Sequence, residues 1–170
     1  WGMSRIAAVV ALSLALAPLA AEAKVVGKLV TYKDGKDVLE GYLAYDDAAS
    51  APKSRPAVLV VHAWMGLDDY AKKRADMLAE LGYVAFAADI YGQGVRPKGP
   101  DEAGALAGRY KGDRALLRRR VALGLDTLKK QPGVDGAKVA AIGYCFGGTT
   151  VLELARSGAA VAGVASFHGG

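Results

Sequence analysis

The chain has 170 residues, 52% of them hydrophobic and 23% charged, and a formal net charge of +5. This is the composition of one globular domain, and it excludes a disordered or collagen-like chain. One cysteine and two histidines exclude a disulfide framework and a multi-cysteine zinc site, and the charge alone does not mark a nucleic-acid binder.

Met3-Ser4-Arg5 opens an uncharged run rich in Ala, Leu and Val, from Ile6 to Ala21, which ends in Ala21-Glu22-Ala23 before Lys24. A basic start, a short apolar segment and a small-x-small cut site predict a secretory signal peptide over residues 1–23. A membrane anchor is the competing reading, but the run is short for a span and Pro18 interrupts it. Cleavage before Lys24 would place the product in a bacterial periplasm or outside the cell, free of the membrane. There the free Cys145 has no partner in its own chain.

Lys24 to Tyr32 and Val38 to Tyr45 read as strands, and Asp34-Gly35 between them signals a hairpin. Ala57 to Val61 is a continuous apolar run, as expected of a strand buried on both faces. Asp68 to Leu81 reads as a helix with an Asp at its start, Gly82 as its stop, and Ala71, Ala75, Leu78 and Ala79 as its apolar stripe. Tyr83 to Ala88 is a second buried strand, followed by a Gly/Pro-rich loop and a short helix from Asp101 to Gly108. The spacing of Leu117, Val121, Leu125 and Leu128 predicts a helix over Asp113 to Lys130, with Arg118, Arg119 and Arg120 on its solvated side. Lys138 to Tyr144 reads as a strand, Gly147 to Ser157 as a helix and Val161 to Phe167 as a last strand. Strands alternating with helices after a hairpin predict an α/β domain over residues 24–170, with a mostly parallel sheet covered on both faces.

Gly143-Tyr144-Cys145-Phe146-Gly147 follows an apolar strand and opens a helix. This is the G-x-S-x-G nucleophile elbow with Cys in place of Ser. A bare G-x-C-x-G arises by chance in about one chain in a hundred of this length, and the strand–turn–helix context makes it rarer. The bland alternative is a small buried thiol at a strand end. An elbow needs two oxyanion donors. The N–H of Phe146 is one, and the loop His62-Ala63-Trp64-Met65-Gly66 supplies the other, assigned here to Trp64. His62 and His168 end apolar strands and are candidates for pocket walls beside Cys145 or, less favourably, for its base. Asp89 reads as a cap for the following loop, and Tyr144 as a packing residue whose hydroxyl can face the pocket.

VVHAWMGLDDYAKKRADMLAELGYVAFAADIYG, AAIGYCFGG and VASFHGG resemble the dienelactone hydrolase family over about Leu29 to Gly170. The resemblance implies an α/β-hydrolase fold and hydrolysis of a small ester or lactone through a thioester acyl-enzyme. It implies no metal and no organic cofactor. By position, Cys145 matches the nucleophile, and Phe146 and Trp64 match the oxyanion donors. Three features depart from the family pattern. Ala63 stands where a Glu beside the elbow is common. Gly92 and Gln93 follow Asp89-Ile90-Tyr91 where an Arg holds the substrate carboxylate, with Arg96 nearby as a substitute. The family's triad Asp and His follow later strands, whereas the sequence stops at Gly170, just past the sixth. The reading is therefore a C-terminally truncated hydrolase domain. The alternative is a catalytically incomplete fragment or a non-enzymatic binding or redox module with a reactive thiol.

Overall fold

The computed structural model describes residues 24–48 and 51–170, so the leader predicted over residues 1–23 lies outside the described residues. Strands β1 (Val25–Asp34) and β2 (Asp37–Asp46) form the expected hairpin. Asp34 pairs with Asp37 across a two-residue turn, where Gly35 takes a φ of 60° that a side chain would strain. There follow β3 (Arg55–Val61), α1 (Asp69–Glu80), β4 (Val84–Ala88), α2 (Pro100–Gly112), α3 (Arg114–Lys129), β5 (Val134–Tyr144), α4 (Phe146–Arg156) and β6 (Gly163–Phe167).

The six strands lie in one sheet in the order β1-β2-β4-β3-β5-β6. β2 pairs antiparallel with both β1 and β4, while β4, β3, β5 and β6 are parallel. Period-2 alternation sends Ala57, Leu59 and Val61 of β3 to one face and Val58 and Val60 to the other, and every one of them is buried. On the first face they meet Leu117, Val121, Leu125 and Leu128 of α3 and Val151 and Leu154 of α4. The second face packs on Ala71, Ala75 and Ala79 of α1, whose small side chains let the helix lie close to the strands. Asp68 caps α1 by accepting from Ala71 N–H at 2.9 Å, and Asp113 caps α3 by accepting from Leu116 N–H at 2.9 Å.

Three local expectations need correction. α2 does not stop at Gly108 but runs to Gly112, because Ala103, Ala107 and Tyr110 keep one face buried past the glycine. β5 begins at Val134 rather than Lys138, through a register irregularity opposite Arg55 and Ala57. Of the arginine triplet, Arg118 and Arg119 reach solvent as expected, but Arg120 does not. Arg120 is buried, with Nε 2.7 Å from Asp34 Oδ2 and Nη2 2.5 Å from Asp37 Oδ2. Arg119 Nε meets Asp34 at 2.8 Å, and Arg118 Nη2 meets the buried Glu153 of α4 at 2.7 Å. The triplet thus ties α3 to the hairpin turn on one side and to α4 on the other.

Candidate active site

The parallel strands β3 and β5 end side by side, which brings the loop after Val61 against the turn after Tyr144. Cys145 occupies that turn with φ 54° and ψ −111°, a conformation that L-residues avoid. The glycines around it are required by close approach. A Cβ on Gly143 would lie 2.0 Å from the Gly147 carbonyl oxygen, and one on Gly147 would lie 2.2 Å from that of Val61. Cys145 N–H donates to the Phe167 carbonyl at 2.9 Å, fastening the elbow to the end of β6. The strained turn is therefore held from both neighbouring strands.

Cys145 opens onto a cavity of about 250 Å3, shared with Trp64, Phe146, Thr149, His168 and Lys111. Phe146 is the first residue of α4, so its N–H has no intrahelical acceptor. Trp64 N–H also makes no hydrogen bond among the described residues. Two free backbone donors thus belong to residues that line the thiol's cavity, as an oxyanion site requires.

The remaining residues singled out in the sequence go to different places. His168 lies in the cavity with Cys145, and its backbone takes a positive φ of 45°. His62 is packed beneath it, only 1% exposed, with its ring centroid 5.8 Å from that of Phe146 and 4.9 Å from that of Tyr91. Its Nδ1 lies 2.7 Å from the Ala63 carbonyl, to which it donates, and its Nε2 accepts from Ile90 N–H at 3.2 Å. Both ring nitrogens are therefore occupied. Burial pushes the His62 imidazole below its ordinary value, against the opposing pull of the Ala63 carbonyl and Asp89. Ala63 contributes its carbonyl to this arrangement and also accepts from Gly66 N–H at 3.2 Å. Tyr144 points to the opposite face of the sheet, stacking on Phe167 at 4.9 Å and meeting Tyr70 edge-on at 5.4 Å. Arg96 lines a separate cavity with Asp68 and Lys72, and its Nη1 donates to the Val95 carbonyl at 2.7 Å. Asp89 caps the loop as expected: Oδ1 accepts from Tyr91 and Gly92 N–H, and Oδ2 from Glu40 N–H.

Tyr91 is the functional residue that the sequence reading missed. Its hydroxyl donates to the Trp64 carbonyl at 3.0 Å, and its own carbonyl accepts from Tyr110 Oη at 3.1 Å. Burial, with Tyr110 and Cys145 beside it, pushes the Tyr91 hydroxyl up, so it remains a neutral donor. It anchors the Trp64–Met65 peptide, next to the one that carries the free Trp64 N–H. A tyrosine following a loop-capping Asp was the available signal. Lys111, near the end of α2, also entered the cavity unforeseen, because the helix was expected to end before it. Among the described residues, no three His, Cys, Asp or Glu side chains gather closely enough to hold a metal ion.

Residues 39–170 match the family model described as "Dienelactone hydrolase family". Protein Usf of Aquifex pyrophilus is 32% identical over 138 residues, covering 76% of this chain and 55% of that protein. The solved structure named m3DLH superposes with a TM-score of 0.82 at 41% identity, covering 86% of this chain and 60% of that one. A dienelactone hydrolase-like promiscuous phosphotriesterase, P91, from metagenomic libraries superposes with a TM-score of 0.80 at 45% identity and the same coverage. The chain thus spans little more than half the length of the relatives it matches.

Proposed function

This chain belongs to the dienelactone hydrolase family, and from that premise we propose that it is the nucleophile-bearing part of a hydrolase that cleaves small esters or lactones through Cys145. One observation carries the reading: a cysteine at φ 54° on a strand-to-helix turn shares its cavity with two residues whose N–H groups have no acceptor. Cys145 Sγ would attack the ester carbonyl carbon, forming a C–S bond while the carbonyl oxygen takes up negative charge. Phe146 and Trp64 N–H groups would meet that charge. Collapse expels the alkoxide, which leaves as an alcohol after protonation, and a thioester remains on Cys145 for water to hydrolyse.

The proton released by Sγ needs a base. His62 is unsuited, since Nδ1 donates to the Ala63 carbonyl and Nε2 already accepts from Ile90 N–H. His168 shares the thiol's cavity, whereas the family resemblance assigns the base and its acid to loops after later strands. Lys111 in the cavity wall replaces Arg96 as the cation nearest the nucleophile's opening, and is the better placed of the two for an acidic group on the substrate.

Cys145→Ala should lower kcat/KM for an activated ester by at least ~1,000-fold while leaving the thermal midpoint nearly unchanged. Iodoacetamide should abolish the same activity with the label on Cys145, and a small ester should slow the labelling. Unimpaired hydrolysis by Cys145→Ala would overturn the assignment. The 45% identity to a promiscuous phosphotriesterase favours adding a phosphotriester to the substrates assayed.

A further inference from the structure

A second cavity, of about 230 Å3, opens at the opposite end of the sheet between the start of β3, the β1–β2 hairpin and the turn before β5. Lys28, Lys53 and Arg55 line it together with Tyr45, and among the described residues no acidic side chain does. β3 separates it from the nucleophile. Seven extended residues from Arg55 to Val61 span on the order of 20 Å.

Arg55 is 8% exposed, yet it makes no salt bridge among the described residues. Its Nη1 donates to the Asp46 carbonyl at 2.8 Å. Its Nε is shut off from solvent without a hydrogen-bond partner, and Nη2 donates to no described residue. Nη2 is therefore the guanidinium donor left for an anion in the cavity, through one charge-assisted hydrogen bond. The Asp46 carboxylate makes no salt bridge to Arg55, and its Oδ1 instead accepts from the backbone N–H groups of Lys24 at 2.8 Å and Ala48 at 2.9 Å. The Tyr45 ring offsets part of the charge, with Arg55 Cζ 5.9 Å and Lys28 Nζ 5.5 Å from its centroid. Among the described residues this buried guanidinium, with two lysines lining the same cavity, has no paired carboxylate, which is unfavourable.

We propose that this cavity binds a phosphate group, as inorganic phosphate or on a small phosphomonoester, with Arg55 Nη2 donating to one oxygen and Lys28 and Lys53 closing on the others. Three cations favour an anion of more than one charge over a monocarboxylate. The site is independent of the hydrolytic chemistry proposed for Cys145.

The test is to titrate the purified protein at constant ionic strength with inorganic phosphate, glycerol phosphate and acetate, reading the thermal midpoint. Saturable stabilisation by phosphate or glycerol phosphate, with none from acetate, is the expected result, and the tighter of the two identifies the source. Lys28→Ala/Lys53→Ala changes only exposed side chains and should weaken phosphate binding at least tenfold. Arg55→Gln should remove it. Cys145 should react with iodoacetamide at the wild-type rate in the double variant. Phosphate stabilising no more than chloride, or binding the double variant as tightly as the wild type, would overturn the proposal.

Discussion

Cys145 is legible in sequence because its chemistry depends on its neighbours' lack of side chains. Gly143 and Gly147 stand where any Cβ would strike backbone, and such a constraint leaves a mark at fixed spacing. Tyr91 leaves no such mark, since its role depends on a hydrogen bond across 27 residues to Trp64. Tyr91→Phe releases the Trp64 loop and should lower kcat/KM five- to tenfold, about 1 kcal/mol of lost transition-state stabilisation. Steady-state kinetics with an unchanged melting curve would support a positioning role, and equal activity would remove it. His62 gives a different readout. Burial holds its pKa in the folded chain below the ordinary imidazole value, so the folded state resists a proton that the unfolded state accepts. Stability is full above about pH 6.5 and falls as the pH drops below it, by up to about 1.4 kcal/mol per pH unit. Asp34 and Glu153, held low by their arginines, contribute stability that is lost only nearer pH 4. Urea unfolding at pH 7.5 and 5.5 should therefore show a slope that His62→Gln flattens. An equal slope in both proteins would contradict the account.

At the scale of elements, helix faces and strand alternation carried most of the information, and the misreadings came where tertiary partners decide. Arg120 looked like a surface residue because it stands in a run of charges with Arg118 and Arg119, although three residues on from Leu117 it borders the buried face. The structure buries it because Asp34 and Asp37 come from the hairpin turn, more than 80 residues away in sequence. Asp34→Asn should destabilise the fold by on the order of 2 kcal/mol, less than the ~3–5 expected when a buried pair loses its only partner, because Asp37 remains. A urea midpoint equal to the wild type would show that the pair contributes nothing. The extension of α2 past Gly108 has the same kind of origin. Tyr110 packs on Tyr91 at 5.3 Å, and that contact offsets the helix-weakening glycine. Tyr144 follows from strand alternation once Cys145 is placed, since successive side chains of β5 point to opposite faces.

For the whole molecule, the alternation of strands and helices sufficed to predict a mostly parallel sheet, and the family resemblance agreed with it. The pairing of β2 with β4, and of β4 with β3, was beyond reach, because pairing order depends on contacts that no local pattern encodes. The same holds for the cation-lined cavity at the far end of the sheet, which joins residues from three separate segments. What the topology achieves is to deliver the ends of β3, β5 and β6 to one place, where a strained cysteine meets free backbone donors. The most direct test of that arrangement is to mix the protein with p-nitrophenyl acetate, quench in acid and map the modified peptide by mass spectrometry. The account predicts an acetyl thioester on Cys145, lost on adding hydroxylamine and absent in Cys145→Ala. Release of nitrophenol at the wild-type rate with Cys145 unmodified would contradict it.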